Sequence, residues 1–61
     1  MPDCANSGVA GNALPQGQSC LTEGAGAQCH FDLVQIISSS TLITPYTCSC
    51  AGSVIPTWSC Q

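Results

Sequence analysis

The chain has no lysine and no arginine. Its 61 residues carry three acids, Asp3, Glu23 and Asp32, and a formal net charge of −3. Nucleic-acid binding is therefore excluded as an expectation, because phosphate contacts need cations. The same lack argues against a cationic membrane-active peptide or a heparin binder. Aromatic residues are nearly absent: Phe31, Tyr46 and Trp58 occur once each. No N-x-[ST] sequon occurs, since Asn6 precedes Ser7-Gly8 and Asn12 precedes Ala13-Leu14. The longest apolar stretch, FDLVQII, is too short for a membrane span. No basic segment followed by an apolar one precedes Cys4. The expectation is that an export signal has been removed and that Met1 is an added initiator.

Cysteine is abundant instead: Cys4, Cys20, Cys29, Cys48, Cys50 and Cys60. A chain this short buries too little surface to hold itself by a core alone and needs a staple. A metal site would require two close ligand pairs, and the one close pair is Cys48-Ser49-Cys50. His30 adjoins Cys29, which does not suit chelation of one ion from a strand. A redox C-x-x-C is absent. Disulfides in an oxidising, extracellular compartment remain the reading, with no cofactor and no metal. On a strand Cys48 and Cys50 share one face and reach different partners. A bond between them would close a small, strained ring.

Residues 1–28 lack any sustained period and are rich in Gly, Ala, Asn and Gln, which reads as pinned loop. LPQGQSC is a turn, with Pro15 presetting φ and Gly17 free to take positive φ. From residue 29 the composition changes to β-branched and aromatic. CHFDLVQII and TLITPYTCSC predict strands at 29–37 and 41–50 around a Ser38–Ser40 turn. Phe31, Leu33 and Gln35 share one face, and Asp32, Val34 and Ile36 the other. Pro45 places an exposed edge or a bulge in the second strand. VIPTWSC predicts a short third strand, confined to an edge by Pro56. The fold class is thus a small disulfide-rich β protein over 1–61, a single domain. It is a hairpin or three-stranded antiparallel meander with an irregular N-terminal half.

The cysteine order C-x₁₅-C-x₈-C-x₁₈-C-x-C-x₉-C resembles that of epidermal growth factor-like domains. The resemblance implies pairing Cys4–Cys29, Cys20–Cys48 and Cys50–Cys60. The acidic calcium-binding lead sequence of those domains is missing, so no calcium site is implied. A second likeness spans roughly residues 15–60. The run Pro15, Gly17, Cys20, then Glu23-Gly24, then Cys29 and Phe31, then Thr47–Cys50, then Trp58–Cys60 is similar to small cysteine-rich modules of secreted and surface proteins of myxobacteria. That likeness implies no activity.

Candidate functional residues are few. His30 and Asp32 would share a strand face, and serines abound. Yet a hydrolase needs a cleft and an oxyanion hole, so no catalytic residue and no enzyme is expected. Trp58 reads as core or as a stacking platform for sugars. Within the hairpin 31–46 the stretch LVQIISSSTLITPY is charge-free, with no lysine to guard its edges. Phe31, Leu33, Ile37, Leu42, Ile43, Tyr46 and Trp58 are the contact surface it offers to a protein, a polysaccharide or a second copy. The expected function is a secreted, non-catalytic binding or structural module. The alternative is a secreted effector or protease inhibitor. Without Lys or Arg its target is chymotrypsin- or elastase-like, engaged through Leu14, Leu21, Leu42 or Tyr46.

Overall fold

A computed structural model describes residues 1–61. Three strands, β1 (Gln28–Ile37), β2 (Ser40–Ala51) and β3 (Thr57–Cys60), form one antiparallel sheet in the order β1-β2-β3. The molecule is elongated, 42 × 20 × 17 Å. The strands fall where the β-branched and aromatic residues concentrate. Ile37 pairs with Ser40 across a two-residue connection, Ser38-Ser39. Ser38 takes φ 55°, a left-handed conformation that this tight a turn demands of its first residue.

The sheet has a base and an arm. At the base, the N-terminal half supplies two extra edges. Along β1, Cys4 N–H donates to His30 C=O and His30 N–H to Pro2 C=O. Gly8 N–H then donates to Asp32 C=O and Gly11 N–H to Val34 C=O. Tight turns carry the chain from each rung to the next, so a segment without strand periodicity still satisfies the outer groups of β1. Asn12 locks this coil. Its Nδ2 donates to the carbonyls of Asn6 and Asp32, and its Oδ1 accepts from Val34 N–H, all at 2.7–2.8 Å. Along β3, Trp58 N–H donates to Gln18 C=O, and Gly17 N–H to Trp58 C=O. Of 32 backbone hydrogen bonds, 18 lie outside the strand ladders, so the loop half is ordered rather than merely tethered.

The core is small. Phe31, 1% exposed, packs with Cys29 and Cys48, and Leu14, Leu33, Tyr46, Trp58 and the remaining halves of two disulfides close around it. Burying one phenylalanine contributes about 1.5–3 kcal/mol. The whole domain needs roughly 3–9 kcal/mol at this length, so covalent bonds must contribute.

Three disulfides do: Cys4–Cys29, Cys20–Cys50 and Cys48–Cys60, with no free cysteine. The first agrees with the expected pairing. The expected Cys20–Cys48 and Cys50–Cys60 are corrected, because the two cysteines of the C-x-C exchange partners. The reason is register. Ala51 pairs with Thr57, which puts Cys60 opposite Cys48 and Trp58 opposite Cys50. Thr47 exchanges both backbone hydrogen bonds with Gln61, so Cys48 and Cys60 form the next, non-hydrogen-bonded pair. Side chains approach closely there, and the Cα atoms are 4.0 Å apart. Cys50 is left facing Trp58. Cys20 reaches it from the end of β3, where Cys20 N–H donates to Pro56 C=O. Gly52 makes the intervening loop possible. It takes φ 146°, and a Cβ there would lie 2.9 Å from Pro56 Cα.

Pro45 behaves as its chemistry requires. Asp32, its partner in the ladder, directs its amide and carbonyl outward to Ser7 and Gly8. The pair is therefore a non-hydrogen-bonded one, and Pro45 turns its missing N–H to the open edge of β2 without a bulge.

In the chain-entropy model each bridge contributes about 3–4 kcal/mol. Reduction is expected to abolish cooperative unfolding, read by circular dichroism against the oxidised protein. Partial reduction with alkylation and mass spectrometry should return Cys20–Cys50 and Cys48–Cys60. Asn12→Ala removes three hydrogen bonds from the N-terminal coil and should cost about 2–3 kcal/mol. Faster amide exchange at Asp32 and Val34 would accompany that loss.

Candidate functional site

Four groupings of side chains merit attention. The first is His30 with Asp32, two residues apart on β1 and so on one face. His30 Nε2 lies 2.7 Å from Asp32 Oδ1, with the side chains 38% and 37% exposed. Ser7 Oγ is nearby but accepts from the Asp32 amide, and no serine hydroxyl hydrogen-bonds to His30. The pair braces the β1 face; the third member of a nucleophilic triad is not assembled around it.

The second is a cluster of sulfur. The Sγ atoms of Cys4, Cys29 and Cys48 lie within 4.8 Å of one another. All are disulfide sulfurs, so they offer no thiolate to a metal ion. Their closeness follows from Cys29 and Cys48 being opposed in the β1–β2 ladder.

The third is the arm of the hairpin. The N-terminal coil covers β1 only as far as Val34, and β3 with Gln61 covers β2 only back to Thr47. Beyond those points the hairpin is a bare two-stranded ribbon. Ile36, Ile37, Leu42 and Ile43 are 49–60% exposed there, on both faces. No charged residue lies between 33 and 61. The outward-facing backbone groups of Thr41 and Ile43 on β2, and of Ile36 on β1, are free for pairing.

The expected contact residues divide accordingly. Ile37, Leu42 and Ile43 are exposed on the arm. Phe31 is buried, and Leu33, Tyr46 and Trp58 pack against the core, so Phe31 is removed from any contact surface. Ile36 belongs with the exposed set and was missing from the expected one. Its alternation with Val34 put it on the face of a buried residue, and nothing in the sequence says where the covering coil stops. Among the residues proposed to engage a protease, Leu14 and Tyr46 are held against the core, while Leu21 and Leu42 are exposed.

The fourth is a groove of about 420 Å³ at the base. The Cys4–Cys29 bridge and Trp58 line it, with Asp3, Asn6, Gln18 and Glu23 among the polar groups. Two chain segments separated in sequence, 2–6 and 13–19, meet there. No sequence motif marks it, because it exists only once the first disulfide and the coil are in place.

No helix is long and apolar enough to cross a membrane. No family model matches the chain, and no curated protein and no solved structure matches it either.

The His30–Asp32 pair is solvent-screened, and its worth should be small. Asp32→Asn is expected to shift stability by less than about 1 kcal/mol in chemical denaturation. A larger loss would mark the pair as a structural centre.

Proposed function

We propose that the chain is an extracellular, non-catalytic structural module that associates with a second copy of itself through the arm of the hairpin. The bare ribbon carries this reading. An isolated two-stranded hairpin is marginal in water, and exposing apolar residues on both of its faces adds nothing to the monomer. Edge strands of monomeric proteins are ordinarily guarded by charge, and this one has none. The three acids all lie at or before residue 32, away from the arm. Two copies of net charge −3 therefore meet through the one region where neither carries charge.

Antiparallel pairing of β2 with β2 about a two-fold axis suits the edge best. It joins the free groups at Thr41 and Ile43 to their counterparts, an isologous contact that closes on itself. Pro45 has no N–H to offer and ends the ladder there. Six cysteines in three bridges suit an oxidising, extracellular setting.

Sedimentation of the oxidised protein should show a concentration-dependent dimer below millimolar. Ile43→Lys and Ile36→Lys each place a charge on the ribbon and should leave a monomer with an unchanged circular dichroism spectrum. A wild-type chain that stays monomeric to millimolar concentration would overturn the reading.

A further inference from the structure

We propose that the groove beside Trp58 is a binding site for a neutral saccharide. The proposal is independent of the arm, which lies beyond the covered part of the sheet.

Its size comes first. About 420 Å³ falls within the range of small-molecule sites and accommodates a short saccharide. Its rigidity comes second. The Cys4–Cys29 bridge ties the 2–6 side of the lining to the start of β1, and the 13–19 side is tied to Trp58, whose two backbone groups are bonded to Gln18 and Gly17. A ligand entering it therefore orders little that is not already ordered, which favours affinity.

Chemistry comes third. Trp58 is half-buried, packs against the core from one side and lines the groove as well. An indole presents a broad apolar face of the kind on which the C–H face of a pyranose lies flat. Asp3, Asn6, Gln18 and Glu23 line the same groove. None of these four side chains is engaged in a hydrogen bond within the chain. Two carboxylates accept from hydroxyls, and two amides both donate and accept, which is the mixture that a polyhydroxyl ligand uses.

Charge then narrows the ligand. A phosphate, sulfate or uronic acid finds two carboxylates here and no cation anywhere in the chain. An ammonium group would use the carboxylates and the indole. It has no acceptor for the amide N–H groups of Asn6 and Gln18, which a sugar hydroxyl does accept. A neutral sugar satisfies all four.

The test titrates the full oxidised chain with neutral hexasaccharides of β-linked glucose, xylose and N-acetylglucosamine and of α-linked glucose. Trp58 is the sole tryptophan, so its fluorescence reports the groove directly. A saturable change with at least one member is expected. Binding should weaken roughly tenfold in Gln18→Ala and in the double variant Asp3→Asn/Glu23→Gln, whose side chains are exposed. Trp58→Phe should weaken it further; because Trp58 also packs on the core, the surface variants decide the matter, with their amide spectra checking the fold. A flat response across the panel overturns the proposal. So does binding that the surface variants leave unchanged, or binding confined to an amine-bearing glucosamine hexamer. Ile43→Lys leaves the groove intact, so self-association and saccharide binding fail separately.

Discussion

Cys29, Cys48 and Cys60 stand in one row across the sheet, on one face, and the rest of the structure depends on that row. Cys29 is opposed to Cys48 in the first ladder and Cys48 to Cys60 in the second. A shift of either strand by one residue would turn half of the row to the other face. Two disulfides leave from the row, one inside the sheet and one outward to Cys4. The outward bond delivers the N-terminal segment to the edge of β1, where Gly8, Gly11 and Asn12 can find their partners. Phe31 packs against this row, so the only fully buried aromatic rests on sulfur rather than on other large apolar side chains.

The sheet was legible because its signal is local. β-branched composition, a polar break at Ser38–Ser40 and a proline at each edge position suffice to order three strands. The shared face of Cys48 and Cys50 was legible for the same reason, since alternation along a strand is a local property. Which of the two takes Cys60 was not. That depends on the register of β3, and register is set by the Gly52–Pro56 loop, whose positive φ and close backbone approach carry no cysteine signal. The likeness to epidermal growth factor-like domains rests on cysteine order, and order alone does not carry register. Asn12 was equally silent. A single asparagine in a Gly/Ala-rich run gives no sign that its amide will join one nearby backbone group to two others at least twenty residues away. The groove shares this origin, because its walls meet only after non-local closure.

Charge and crosslinks divide along the length of the molecule. The base holds every ionisable side chain but Tyr46, which is packed against the core, together with all three bridges. The arm holds neither charge nor crosslink. Leu21, Val54 and Ile55 are exposed at the base as well, where charges and bridges accompany them; on the arm the exposed apolar residues stand without either. Such a division gives two surfaces of different chemistry at opposite ends of a 42 Å body. A module with a ligand-facing base and a self-complementary arm can present one kind of site repeatedly within an assembly.

The chain ends have a mechanical consequence. Asp3 bridges to His30, His30 is opposed to Thr47, and Thr47 is bonded to Gln61, so both ends lie on one rung. Tension applied through them crosses the strands rather than running along them. Cys4–Cys29 and Cys48–Cys60 deliver the load to Cys29 and Cys48, and between these two it has two covalent routes: through the hairpin, or back to Cys20 and across the Cys20–Cys50 bridge. Pulled at its ends, the oxidised chain draws taut on the shorter route, through Cys20–Cys50, before the hairpin is pulled straight. The chain segments of that second route span roughly 40 Å at most, so residues 29–48 stay slack while 20–29 and 48–50 bear the force.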